Sequence, residues 1–142
     1  MIPDLSPGAV DTLARTLYGE ARGESVRGKE AVAAVIVNRV RRAAARGGWW
    51  WGNTVAQAAR KPWQFSCWNE NDPNRAKIEA ATESDREFAS CLRIARRAAA
   101  GALQDPTGGA THYHARDATP PWATGRAPSA VIGNHLFYNT VE

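Results

Sequence analysis

Glu20 and Glu24, joined by Ala-Arg-Gly, are the residues whose type and spacing point most directly to acid–base chemistry. A protonated carboxyl can give its proton to a leaving oxygen and, once ionised, take a proton back. One such glutamate is the minimum needed to break a glycosidic bond. Were one helix to run through both, they would share a face at a four-residue interval. Gly23 makes a turn that separates them the better reading. Two glutamates near a helix end equally suit surface residues or caps, and the spacing alone leaves that open.

The three histidines form the second group. His112-x-His114 on a strand puts both imidazoles on one face, and His135 on a paired strand could complete a three-ligand metal set. No HExxH-type element or nearby run of carboxylates accompanies them, so structural or substrate-contacting histidines suit the pattern better. Cys67, beside Ser66, has no histidine near it in sequence, which leaves a nucleophilic thiol as a minor reading. Cys67 and Cys91 stand in no CxxC or metal-ligand spacing and read as buried free thiols. No GxSxG, P-loop or GxGxxG is present.

Helices must carry the carboxylates and strands the histidines. Ser6 with Pro7 behind it reads as an N-cap and first helical residue, opening a helix that reaches Ala21 and stops by Gly23. Val10, Leu13, Ala14, Leu17 and Ala21 recur at helical spacing, and Glu20 falls on the border of that stripe, in the last turn. There the helix dipole and partial burial both oppose a negative charge, the setting of a proton donor. Ser25 caps a second helix over residues 26–46, closed by Gly47 and Gly48. Its segment 31–37 is apolar almost all round, which predicts a central helix and places Asn38 half inside, as a fold-stabilising amide or a substrate contact. Trp49, Trp50 and Trp51 cannot all enter one small core, so at least one is exposed. A short helix over 54–60, capped by Asn53, precedes Pro62; Trp63, Phe65 and Trp68 beyond it either line a cleft or pack in the core. Helices are predicted over 75–81 and 84–103, the second with Phe88, Cys91, Leu92, Ala95 and Ala99 inward and its arginines outward. After the turn at 105–109 the chain reads as strand and loop, with 110–115 and 130–138 as antiparallel partners and Pro120-Pro121-Trp122 as a rigid corner.

With 142 residues, 44% hydrophobic and 23% charged, the chain suits one domain over 1–142, of α+β class and mainly α, with a small C-terminal antiparallel element. A core of that size needs no partner in order to fold, and a monomer is expected. The net charge of +4 favours polyanionic surroundings. No nucleic-acid motif appears, so nucleic acid is not the expected partner. The N-terminus lacks the basic and apolar regions of a secretory signal, and the longest apolar run is too short to span a bilayer, so synthesis in the cytoplasm without membrane insertion is expected.

Four blocks together carry a resemblance: Ala14-Arg-Thr-Leu-Tyr-Gly-Glu-Ala-Arg-Gly-Glu24; Gly28-Lys-Glu-Ala-Val-Ala-Ala-Val-Ile-Val-Asn-Arg-Val40; Pro62-Trp-Gln-Phe-Ser66; and Ala110-Thr-His-Tyr-His114 with Pro120-Pro-Trp122 and Ile132-Gly-Asn-His-Leu-Phe-Tyr138. In this order they resemble the SleB-type cell wall hydrolases, which include spore-cortex-lytic enzymes. The resemblance implies a lysozyme-like domain related to lytic transglycosylases, no metal or other cofactor, and peptidoglycan as substrate, cut between N-acetylmuramic acid and N-acetylglucosamine. It assigns the catalytic acid to Glu20, with Glu24 as a helper or an anchor for the turn. Tyr113, His112, His114 and Asn134 are then expected to position sugar hydroxyls, with Asn38 as a further candidate, and Trp63, Phe65 and Trp122 to stack on sugar rings. Spore-germination members carry a signal peptide and an added wall-binding region. Neither is recognisable here, which points to a compact phage or prophage endolysin, reaching the wall by phage release machinery or as part of a phage-like particle. A metal-dependent N-acetylmuramoyl-L-alanine amidase and a non-catalytic peptidoglycan-binding module are the alternatives.

Overall fold

Leu13, Ala14, Leu17, Tyr18 and Ala21 recur at three- and four-residue intervals and are all buried, which makes Pro7–Ala21 an amphipathic helix, α1. The computed structural model describes residues 7–60, 66–69 and 72–141. Ser25 accepts from the Gly28 N–H and starts α2 (Val26–Ala45), whose C-terminus closes on Gly47 with φ of 69°. Val32, Val35, Ile36 and Val40 lie wholly inside, so α2 is the central helix that its composition predicts.

The short helices α3 (Val55–Arg60) and α4 (Arg75–Ala80) pack on α1, as does α5 (Arg86–Ala99), which runs along it. Thr54, whose hydroxyl accepts from Gln57 N–H, caps α3; Asn53, expected to do so, accepts instead from Trp49 N–H. α5 is shorter than predicted at both ends, because Asp85 accepts from the Glu87 and Phe88 amides and Gly101 leaves the helix with φ of 73°. Trp51 is buried and Trp50 is half exposed, as the loop's composition requires. Both cysteines are buried free thiols. Among the described residues no helix is long and apolar enough to cross a membrane.

Beyond α5 the chain forms a sheet of β1 (His112–Ala115), β2 (Ala130–Ile132) and β3 (His135–Tyr138), in the order β1-β3-β2 and antiparallel throughout. The expected partnership of the first and last segments holds as β1 with β3. The segment 130–138, read as one strand, is instead a hairpin broken at Gly133, whose φ of 55° only glycine adopts readily. One sheet face, with Ile132, Phe137 and Tyr113, joins the main core against the helices. The other carries Leu136 and Tyr138 against Trp122, Ala123 and Val141. Buried Arg39 on α2 donates from Nε to Thr111 O at 2.7 Å, and Trp51 Nε1 donates to Arg39 O, so α2 is tied to the entry of β1.

Candidate active site

Glu20 stands half-buried in the last turn of α1, and two donors from distant parts of the chain meet its carboxylate. Tyr113 on β1 donates its hydroxyl to Oε1 at 2.8 Å. The Cys67 amide, in the 3₁₀ turn Ser66–Trp68, donates to Oε2 at 3.3 Å. Gly19 permits the second contact. A Cβ there would meet Cys67 Cβ at 2.5 Å and Ile78 Cδ1 at 2.6 Å, so only a bare α-carbon lets the turn lie on α1. Trp68 holds the turn in place by donating Nε1 to Thr16 Oγ1 at 2.8 Å.

Burial, reinforced by the charge of Glu20, holds the Tyr113 phenol well above its ordinary range, so it stays protonated and remains a donor. Burial and the same carboxylate push the Cys67 thiol up as well, which leaves no thiolate for nucleophilic work.

Glu24, past Gly23, serves a different partner. Its Oε1 accepts from Asn134 N–H at 2.9 Å in the β2–β3 turn, and a Cβ on neighbouring Gly133 would collide with that oxygen. Lys29 donates Nζ to Glu24 O at 3.1 Å and pairs with Glu87 at 2.8 Å, fixing the backbone from behind. Glu24 thus holds the distant β2–β3 hairpin turn rather than the turn at Gly23 beside it. His135 Nδ1 lies 3.8 Å from Glu24 Oε1.

The histidines are divided by the sheet. Strand register pairs His112 with Tyr138 and His114 with Leu136, on the face turned from the helices, whereas His135 pairs with Ala115 and Ile132 on the face that carries Tyr113. The three-ligand arrangement is therefore not formed. Among the described residues no three His, Cys, Asp or Glu side chains converge as a metal site.

His112 is buried, bonded through Nδ1 to Thr111 Oγ1 at 3.0 Å and edge-on to Trp122; burial, with Arg39, Arg42 and Arg126 nearby, lowers its imidazole to about 4. His114 Nδ1 is 2.7 Å from Ala115 O, which only accepts, so Nδ1 carries the proton and Nε2 accepts from Tyr138 OH at 2.9 Å. Trp122 packs on both histidines and on Tyr138. Asn38 donates to Asp105 Oδ2 and Ala110 O, both at 2.9 Å, the fold-stabilising alternative of its two readings.

Of the expected site residues, then, Glu20 and Tyr113 come together directly, and Glu24 and Asn134 form the neighbouring contact. His112, His114, Trp122 and Asn38 make their contacts elsewhere, and Trp63 and Phe65 lie outside the described residues. The Cys67 amide and the place of His135 beside Glu24 were missed. A backbone donor leaves no mark on residue type, and the face taken by His135 depends on strand register.

Comparison with known proteins places this geometry. The family model described as Cell Wall Hydrolase matches residues 23–138. The chain is 34% identical over 137 residues to the spore cortex-lytic enzyme of Halalkalibacterium halodurans, covering 94% of this chain and 36% of that protein. It is 33% identical over 130 residues to the spore cortex-lytic enzyme of Bacillus subtilis, covering 88% and 35%. The chain thus spans about a third of the length of these curated relatives. Among solved structures, the catalytic domain of the germination-specific lytic transglycosylase SleB from Bacillus anthracis superposes with a TM-score of 0.71 at 31% identity, covering 94% of this chain and 95% of that one. The SleB catalytic domain from Bacillus cereus gives 0.70 at 30%. The mainly helical, lysozyme-like fold expected from the sequence is the fold of this chain.

Proposed function

Because this chain belongs to the cell wall hydrolase family, we propose that it is a peptidoglycan-degrading enzyme of the lytic transglycosylase type, with Glu20 as its single catalytic carboxylate. The observation that carries this reading is the carboxylate of Glu20 gripped by Tyr113 OH and the Cys67 amide, while Glu24 is engaged by the turn at Asn134.

Protonated Glu20 gives its proton to the oxygen joining N-acetylmuramic acid to N-acetylglucosamine, and the bond from muramic C1 to that oxygen breaks. Tyr113 and the Cys67 amide then donate to the carboxylate formed, stabilising it as the C1 cation develops. The Glu20 carboxylate takes the proton of the muramic 6-hydroxyl, whose oxygen bonds to C1. A 1,6-anhydro ring closes and Glu20 is protonated again. A hydrolytic route would want a second carboxylate about 5 to 9.5 Å away to engage water or the sugar. Glu24 is the nearest candidate, and its oxygen is already bonded to the turn.

The substrate's place makes the cell wall the site of action. Among the described residues both donors to Glu20 lie in the same chain, which supports a monomer. A metal-dependent amidase would need ligands that converge, and the histidines are split across the sheet.

Mass analysis of digested sacculi tests the reading. Muropeptides ending in 1,6-anhydro-muramic acid are expected, and they should vanish with Glu20→Gln, which keeps volume and removes the proton donor. Reducing muramic ends without the anhydro form would establish hydrolysis instead, and lysis by Glu20→Gln near the parent rate would remove Glu20 from the mechanism.

A further inference from the structure

His135 has no part in the steps above, yet it is the side chain that links the two carboxylates. It opens β3 and sits on the helix-facing side of the sheet between Ala115 and Ile132, its side chain only 10% exposed. Its ring stands edge-on to Tyr113, with centroids 5.0 Å apart and an interplanar angle of 81°, and Tyr113 in turn donates to Glu20 Oε1.

Its Nδ1 is buried and has no hydrogen-bond partner among the described residues. Glu24 Oε1 is 3.8 Å away, beyond hydrogen-bond reach. Buried polar atoms of this kind are rare in folded chains, and an imidazole nitrogen aimed at a carboxylate across a gap that small is one short movement from being satisfied. Catalytic hydrogen bonds are often loose in the free enzyme and tighten when substrate binds. Glu24 Oε1 is held in place by the Asn134 amide, and a carboxylate oxygen has a second lone pair with which to accept Nδ1–H.

We propose that His135 is a positioning residue for glycan cleavage: with a glycan in the site, Nδ1–H closes onto Glu24 and the braced ring holds Tyr113 against Glu20. The inference rests on the proposed cleavage of the glycan strand. It differs from a packing role in requiring the nitrogen, and the test separates ring from nitrogen. His135→Phe keeps an aromatic edge against Tyr113 and loses Nδ1, whereas His135→Asn keeps a donor near the place of Nδ1.

On a tetrasaccharide of alternating N-acetylglucosamine and N-acetylmuramic acid, His135→Phe should lower kcat by roughly ten- to hundredfold with KM little changed. His135→Asn should recover most of that loss. Parent-like kcat in His135→Phe, or a loss as deep in His135→Asn, overturns the proposal and leaves the cleavage reading intact. A parent that cleaves neither tetrasaccharide nor sacculi overturns both.

If His135→Phe does not fold, the imidazole nitrogen resonances of the Glu20→Gln protein decide. Adding the tetrasaccharide should shift Nδ1–H downfield as it engages Glu24. An Nδ1–H resonance unmoved by saturating tetrasaccharide overturns the proposal.

Discussion

Tyr113 is the residue on which the Glu20 geometry most depends, because it is the only side-chain hydroxyl recorded on that carboxylate among the described residues. Tyr113→Phe keeps the ring that stacks on Phe137 at 5.6 Å and removes only the donor. A hydrogen bond to a charged acceptor contributes about 1.5–3 kcal/mol, so kcat should fall on the order of ten- to hundredfold. Steady-state kinetics on sacculi beside a melting curve check this. An unchanged kcat would mean that the phenol is packing alone. At this scale the sequence was partly legible: Glu20 stood out by its place on the border of an apolar stripe. Its partners were not legible as partners: the Cys67 amide leaves no mark on residue type, and Tyr113 was expected to meet sugar hydroxyls rather than Glu20.

At the level of elements, Gly19 sets how closely the 3₁₀ turn approaches α1, and the two effects of replacing it have opposite signs. Alanine gains about 1 kcal/mol of helix propensity over glycine. Against that stands a Cβ at 2.5 Å from Cys67 Cβ, and overpacking of this kind costs about 1–3 kcal/mol. The clash prevails, so Gly19→Ala should lower the melting temperature and, by pushing the Cys67 amide off Glu20, reduce activity as well. Gly23→Ala, where a Cβ meets nothing within 4 Å, is the control and should leave stability within about 0.5 kcal/mol. Equal losses in both variants would refute the packing argument. Helix positions were readable because capping and periodicity are local. The break of 130–138 into a hairpin and the register that separates His135 from His112 and His114 were not, because both are set by what the strands pack against. A shift of one residue exchanges the two faces.

For the molecule as a whole, the buried histidines give stability a pH dependence of definite sign. The His112 imidazole is lowered to about 4 from an ordinary value of 6.5, so between those limits the unfolded chain takes up its proton first. Stability therefore falls as pH drops from 6.5 toward 4, by at most about 3 kcal/mol from this group. Burial lowers His135 too, in the same sense, with Glu24 and Glu20 opposing it. Urea unfolding at pH 7, 5.5 and 4.5 should show the decline, and His112→Gln should flatten it. A profile that stays steep in that variant would assign the loss to other groups. The hydrogen bonds that hold Glu20 reach across 47 and 93 positions of sequence. Such long-range closure is slow to form, and a chain emerging from the ribosome at about 5–20 residues per second carries α1 for several seconds before β1 exists to meet it. Nascent and truncated chains therefore hold an ungripped carboxylate, and the proposed cleavage waits on completion of the sheet.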